Sequence, residues 1–360
     1  MENSHIRVLV LRENWLGCTG LSAFNAMLRA GCRAESISET DFIPLQYRSF
    51  IMRATAKLLR PFAVQEFNRE LLRMNAALKP HLFLAVKGQF IQAETLRAMR
   101  TAGTRLYCFF PDLSFTAFGA YLAASAKEYD WLFTTKSFGP RDLKERLGVE
   151  NSSYLPHAYD RDVHRPRSLS AEDSARYGCD ISFIGKHSPA KAKILEDLVR
   201  LRPQINLKVW GNQWERLAPD SPLRKFVEFR AANGTEYATA ISASRINLGL
   251  LQEAIPGASS GDQITSRTFH IPGAGGLMLH ERTEDLLKIF REDEHCVCFN
   301  GVEELNKKIG DLLADPARCE RISATGRALV ESAHSWNHRA QAILDHFRRE
   351  KTGNGPASRK

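Results

Sequence analysis

The sequence predicts an α/β fold of two Rossmann-like parallel-sheet domains facing across a cleft, with C-terminal helices. Three observations predict it. Short apolar runs of strand length alternate with amphipathic stretches of helix length, and the alternation repeats along the chain. One polar stretch interrupts it, after which it restarts. The length, 360 residues, is large for one domain and comfortable for two. Strands alternating with helices imply right-handed βαβ units and a parallel sheet covered on both faces. Ligands of such sheets sit beyond the carboxyl ends of the strands, so the expected site is the cleft between the two sheets.

In the first half, residues 6–11 (IRVLVL) form a strand-length run. A turn carrying Gly17 and Gly20 follows, then a helical stretch to Ala30 stopped by Gly31. Residues 81–86 (HLFLAV) end in Lys87-Gly88 and lead into a helix reaching Arg100. Residues 105–110 (RLYCFF) end in Pro111-Asp112, and residues 131–134 (WLFT) precede a helix that stops near Gly148. Residues 153–155 then reach Pro156-His157.

Residues 163–178 are polar and charged and read as a connection. The rhythm restarts with residues 179–184 (CDISFI), ending in Gly185-Lys186. A helix over 188–202, a strand over 206–210 ending at Gly211, a helix over 236–244 and a strand over 245–251 follow. Ser266 is placed to N-cap a short helix that ends in Gly273-Ala274-Gly275-Gly276. Residues 277–279 and 296–299 read as strands, residues 285–290 as a helix, and three helical stretches run from 302 to 350. The predicted organisation is a domain over 1–162, a linker over 163–178, a domain over 179–335, a closing helix over 336–350 and a disordered tail over 351–360.

Composition narrows the function. Apolar residues make up 43% and charged residues 25%, which excludes a wholly disordered chain. No run approaches the roughly 20 apolar residues of a membrane span, and four apolar residues near the start are too few for a secretory h-region. The expected location is therefore cytoplasmic. Seven cysteines, an odd number spread from Cys18 to Cys319, point to reduced thiols rather than a disulfide framework. Lys plus Arg is 50 against 41 Asp plus Glu, a net charge of +9. No aromatic stacking pattern or reader motif accompanies that charge, so nucleic acid is not the expected partner. Part of it lies between residues 40 and 80, where seven Lys and Arg face three acids. Residues 48–60 (RSFIMRATAKLLR) are basic and amphipathic and suit a peripheral contact with an anionic membrane, at its inner face, or an anionic acceptor; a solvated helix face is the plainer reading.

The segment 266–276 (SRTFHIPGAGG) carries the most chemistry. A helix start leaves unpaired N–H groups, and Arg267 adds a planar donor fork suited to a diphosphate. The glycines permit close backbone approach, or simply end the helix. Gly185-Lys186, with Lys191 and Lys193 behind it, is a second basic strand–loop–helix corner, without the spacing of a Walker A loop. Asp112, His157, Lys87 and Gly88 each follow a predicted strand, and Asp112 or His157 can take a proton from an attacking hydroxyl; turn chemistry is the alternative. Gly257-Ala258-Ser259-Ser260-Gly261 matches a nucleophile-elbow pattern but has polar-loop flanks. Asp160-Arg161-Asp162 and His295-Cys296-Val297-Cys298 offer too few ligands for a metal, and no metal is expected.

In order and spacing, these landmarks resemble the CgeB-like, spore-maturation-type glycosyltransferases, close to the group-1 glycosyltransferases of GT-B fold. The likeness runs through Lys79-Pro80-His81, Lys87-Gly88, Pro111-Asp112, residues 130–134 (DWLFT) and Leu155-Pro156-His157-Ala158. It continues through residues 181–185 (ISFIG), Val209-Trp210-Gly211, Ile246-Asn247-Leu248, Arg267-Thr268-Phe269, Gly273 with Gly276, residues 302–305 (VEEL), and His334-Ser335-Trp336 with Arg339. The resemblance implies transfer of a sugar from a nucleotide diphosphate, UDP- or dTDP-linked and serving as co-substrate with no separate cofactor, to a glycan, lipid or protein acceptor. It implies a donor site in the C-terminal domain at Gly185, Lys186, Lys191, Gly211, Arg267, Thr268, Phe269, His270, Gly273, Gly275 and Gly276. The acceptor side is Gly17, Gly20, Lys87 and Gly88 of the N-terminal domain. The family usually reads Arg-x-Phe-Glu; here the fourth residue is His270, which supplies no fixed negative charge. The alternatives are a non-hydrolysing nucleotide-sugar epimerase and a degenerate GT-B protein that only binds a nucleotide or a partner.

Overall fold

The computed structural model describes residues 3–43 and 50–351, with 50–55 described by their backbone alone. The chain forms two compact units. One holds the chain up to Pro156, the segment Ile255–Ser259 and the helix from Trp336; the other holds His157–Ala254 and Ser260–Ser335.

The first unit runs β1 (Arg7–Arg12), α1 (Thr19–Arg29), β2 (Arg33–Ser38), α2 (Phe50–Leu78), β3 (Leu82–Val86), α3 (Ala93–Thr101), β4 (Arg105–Phe110), α4 (Ala120–Ser125), β5 (Trp131–Thr134), α5 (Gly139–Leu147) and β6 (Ser152–Tyr154). Its six strands are all parallel in the order β2-β1-β3-β4-β5-β6. The runs that predicted β1, β3 and β4 are buried on both faces, as a helix-covered parallel sheet requires. Their side chains join Val64, Phe67 and Leu71 of α2 and Leu96 and Met99 of α3 in one apolar core.

Sequence reading missed strand β2 and helix α4 here, and read only the basic stretch of α2. Strand β2 (RAESIS) lies at the sheet edge with Arg33 and Glu35 turned outward, so no apolar run announces it. Helix α2 extends far beyond the basic stretch, through Pro61, to Leu78.

The second unit runs α6 (Ala171–Tyr177), β7 (Cys179–Ile184), α7 (Pro189–Leu201), β8 (Leu207–Trp210), α8 (Gly234–Ser242), β9 (Ser244–Gly249), α9 (Arg267–Gly273), β10 (Met278–Glu281), α10 (Glu284–Leu287), β11 (Val297–Phe299), α11 (Gly301–Ala314) and α12 (Pro316–Ala333). Its five parallel strands are ordered β11-β10-β9-β7-β8. Its core unites Phe183, Val209, Leu248 and Leu279 of the sheet with Leu195 of α7 and Leu305 and Ile309 of α11. The expected linker is not structureless: α6 lies within it, closed by a capping box between Ser170 and Asp173. The chain then returns to the first unit in α13 (Trp336–Lys351), whose Trp336 packs edge-on against Phe109 of β4. Of the predicted disordered tail over 351–360, Lys351 is the last residue of α13, and residues 352–360, like Arg48, lie outside the described residues. Among the described residues no helix is long and apolar enough to cross a membrane.

Candidate functional site

In each sheet the strand order reverses direction once, between β1 and β3 and between β7 and β9. Crevices at such switch points, beyond the carboxyl ends of the strands, are where open α/β sheets bind ligands. In the second unit, Gly185 follows β7 and Leu250 follows β9. The Arg267 guanidinium lies between them, donating from Nη2 to the Leu250 carbonyl at 2.8 Å and standing 5.4 Å from the centre of the Phe183 ring. A Cβ on Gly185 would lie 2.8 Å from Arg267 Nη1 and 2.7 Å from Phe183 Cζ, so only glycine leaves room for the guanidinium. Gly211, at a φ of 151°, supports this corner: a Cβ there would lie 1.9 Å from the Gly185 carbonyl oxygen, which also accepts from Trp214 Nε1 at 2.9 Å.

Lys191, in the first turn of α7, is buried beside this arginine. Its ammonium donates to Gln252 Oε1 at 3.1 Å and to the Lys186 carbonyl at 3.4 Å. Burial, reinforced by the Arg267 charge and opposed by Asp262, Glu253 and Glu281, pushes Lys191 down to about 8. Burial also lowers the proton affinity of Arg267, whose Nε finds no hydrogen-bond partner. Neither cation forms an ion pair with a carboxylate among the described residues. A buried ammonium beside a half-buried guanidinium, neither with a direct counter-ion among the described residues, is costly unless an anion completes them. Lys186 is exposed at the same corner, and Lys193 is spent on Asp197 at 2.8 Å.

The rest of the 266–276 segment behaves differently from expectation. Ser266 does not N-cap α9: it has helical dihedrals and makes no cap bond. The Thr268 hydroxyl accepts instead from the Thr265 N–H at 3.0 Å and lies 2.9 Å from His280 Nε2. His280 Nδ1 is 2.6 Å from the Glu281 carbonyl and must donate there; burial pushes the imidazole down to about 4, so it is neutral and Nε2 accepts from Thr268. Phe269 is core, stacked on His334 and packed against Phe290. His270 stacks on His164 with ring centres 3.7 Å apart, and its Nε2 lies 3.2 Å from the Ala158 carbonyl. Burial holds it well below the usual histidine range, so it brings no charge to the corner formed by Gly185 and Arg267.

The three glycines are also corrected. Helix α9 starts at the carboxyl edge of the sheet and ends just before β10 begins, at the amino edge. There Gly273 admits the Tyr159 ring, Gly275 admits Pro166, and Gly276 admits Ile241 and Asn247. They pack the chain on itself, at the end of the sheet opposite Arg267. A cavity of about 570 Å³ opens at this amino edge, but its arginines are satisfied, Arg245 by Asp180 and Leu313, Arg327 by Glu331.

In the first unit, Glu13, Lys87 and Asp112 follow β1, β3 and β4 and so gather at that sheet's switch point. Lys87 Nζ is 2.7 Å from Asp112 Oδ2 and 3.8 Å from the centre of the Phe118 ring. Lys87 and Gly88 both have left-handed dihedrals, and a Cβ on Gly88 would lie 2.9 Å from Ile91 Cδ1. Gly20 lets α1 begin against the end of β1, where a Cβ would lie 2.7 Å from Arg12 Cα; Gly17 is left-handed in the preceding turn. Burial raises Glu13, Lys87 opposes the rise and Asp112 adds to it. Burial pushes Glu39 up to about 7, against the Phe90 N–H that it accepts at 3.3 Å. His157 is buried and opens the second unit.

Glu13, Glu39, Gln252 and Glu281 were missed by sequence reasoning. Glu13 was findable, because it directly follows an apolar run that ends at a switch point. Glu281 accepts from the Leu251 N–H at 2.7 Å across two strand ends, a contact no spacing reveals. The elbow-like loop holds no strand–turn–helix: Gly257 sits against Thr116, and the Ser259 N–H donates to Asp142 at 2.8 Å. Asp160 accepts from the Asp162 N–H at 3.0 Å in a turn, and Cys296 and Cys298 are buried core thiols.

Residues 189–345 match the family described as Glycosyl transferase-like. Among curated proteins nothing matches. Sucrose-phosphate synthase from Thermosynechococcus elongatus is similar in structure, with a TM-score of 0.68 at 13% identity, covering 97% of this chain and all of that one. Anabaena HepE in complex with UDP-glucose gives 0.64 at 11% identity, covering 95% of this chain and all of its own. A putative UDP-N-acetylglucosamine 2-epimerase from Listeria monocytogenes gives 0.55 at 11% identity, covering 97% of each chain. The fold is therefore that of the GT-B proteins, with two Rossmann-like parallel-sheet domains.

Proposed function

We propose that the chain is a glycosyltransferase that binds a UDP- or dTDP-linked hexose on its second unit and transfers the sugar to an acceptor bound by the first. The carrying observation is half-buried Arg267 beside buried Lys191 at the switch point of β7 and β9, with no carboxylate ion-paired to either among the described residues. A diphosphate is the anion that a planar fork and a nearby ammonium suit. The Glycosyl transferase-like match over residues 189–345 and the UDP-glucose in Anabaena HepE support this reading. The CgeB-like group is the subtype favoured by the sequence landmarks.

In the transfer, an acceptor hydroxyl bonds to the anomeric carbon, the bond from that carbon to the phosphate oxygen breaks, and its electron pair leaves on the diphosphate. Arg267 and Lys191 offset that growing charge, so the reaction needs no divalent ion, and EDTA is expected to leave turnover unchanged. In an inverting reaction the acceptor proton passes to a carboxylate of the first unit. Asp112 is ion-paired with Lys87, while Glu13 has its proton affinity raised by burial, which matches it better to the task. A retaining reaction needs no such base.

The epimerase reading requires a histidine free to act. His270 is stacked and bonded and His280 is satisfied at both nitrogens, which leaves His187, edge-on to Trp214 just past β7, as the imidazole that reading would have to use. Chromatography of nucleotide-sugar incubations separates the readings. A transferase releases free nucleoside diphosphate and Arg267→Ala abolishes the release, whereas an epimerase returns an epimeric sugar still attached to its nucleotide.

A further inference from the structure

The exposed end of α2 carries an apolar patch that the first unit does not explain. Asn68 bonds to the Phe90 carbonyl at 2.9 Å and receives the Gln92 N–H at 2.9 Å, in the segment just past the carboxyl end of β3. Asn75 meets Thr104 at 2.9 Å, just before the amino end of β4. Helix α2 therefore runs antiparallel to the strands, and the part of it before Val64 continues past the carboxyl edge of the sheet. At about 1.5 Å per residue, Phe62 stands roughly 9 Å further out than Asn68.

On this projection Leu58, Leu59 and Phe62 are 76%, 52% and 69% exposed. Their direction is as telling as their exposure. At about 100° per residue, Val64, Phe67 and Leu71 share the face turned into the core, and Leu58, Leu59 and Phe62 lie roughly opposite. Lys57 and Arg60 are exposed among them, with no ion pair among the described residues. The sequence places no Asp or Glu anywhere from 42 to 65.

We propose that this end of α2, through Leu58, Leu59 and Phe62 with Lys57 and Arg60, docks on the surface of an anionic lipid bilayer. An exposed helix face of apolar side chains flanked by cations fits a flat anionic interface, where the apolar groups enter the acyl boundary and the cations meet headgroups. A second copy of the chain fits poorly. A two-fold contact would set Lys57 and Arg60 against their own copies, and three side chains supply at most roughly 500 Å² against the roughly 800 Å² per partner of a stable dimer. The inference does not rest on donor binding.

Co-sedimentation of the full chain with vesicles tests it, comparing phosphatidylcholine alone with phosphatidylcholine mixed with phosphatidylglycerol. The chain is expected to bind the mixed vesicles at least about tenfold more strongly, less so as salt rises. Leu58→Ser with Leu59→Ser and Phe62→Ser, and separately Lys57→Glu with Arg60→Glu, are each expected to lower binding about tenfold or more. All five positions are exposed, so the melting temperature should hold, which separates lost docking from lost folding. Equal binding to both vesicle types, no binding to either, or undiminished binding by both variants overturns the proposal. So does a concentration-dependent dimer in sedimentation velocity that the triple serine variant dissociates, since the patch would then belong to a second copy.

Discussion

In the proposed transfer Arg267 and Lys191 are assigned the chemistry because burial makes their charge expensive and no carboxylate among the described residues is ion-paired with either. Lys191 sits near pH 8, which gives a signed expectation. Anion binding draws on its protonated form, so affinity for UDP should be flat below about pH 7. It should fall by up to about tenfold per pH unit above about pH 8. Calorimetric titration of the native chain and of Lys191→Met checks this, the variant binding weakly with no such fall. Glu39 titrates in the opposite sense. Its proton affinity is raised to about 7 in the folded state, so its support for folding is complete below its unfolded value and is lost as pH rises through about 7. Glu39→Gln keeps an acceptor for the Phe90 N–H and is expected to raise the melting temperature at pH 8 but not at about pH 4.5. At this scale, the arginine and the two strand-end glycines were legible in the sequence, because residue type and strand-end position sufficed. Glu39 was not, because its effect arises from burial that no local pattern encodes.

Helix α9 shows why a rich motif divided into two roles. Only its first residue reaches the carboxyl edge of the sheet, and its last turn is pressed against Tyr159. A Cβ on Gly273 would lie 2.7 Å from the Tyr159 ring. Gly273→Ala is therefore expected to cost about 1–3 kcal/mol in urea unfolding while leaving UDP affinity within about twofold. A loss of UDP binding at unchanged stability would return these glycines to the donor site. The strands with apolar runs were readable nearly to their ends, because a doubly covered parallel sheet buries both faces. Strand β2 was not, since its outward side chains are polar, and the full reach of α2 was hidden by an exposed half that carries no core-facing stripe.

For the whole molecule, two repeats of one doubly wound order give two switch points, and both collect titratable groups at the carboxyl edge. That duplication was legible from the rhythm alone. The packing behind the donor corner was not: His270 stacks on His164, and Thr268 closes on His280. Burial pushes His164 down to about 3 and His280 to about 4. Both are neutral when folded, so the stability they support is present above about pH 6.5 and is lost as pH falls towards their folded values. Urea unfolding of Glu39→Gln, which removes the opposing titration of that carboxyl, should show stability dropping with proton uptake across that window; a flat profile of this variant from pH 7 to about 4.5 would show these imidazoles to be accessible.

The central claim is that a nucleoside diphosphate completes the Arg267–Lys191 pair. Thermal unfolding with a panel of nucleoside diphosphates and their sugars tests it most directly. A ligand at about 100 times its dissociation constant should add about 2.7 kcal/mol of stability. The account predicts that UDP or dTDP and a matching sugar raise the melting temperature of the native chain and leave Arg267→Ala unmoved. No shift with any member of the panel, or an equal shift in Arg267→Ala, would contradict it.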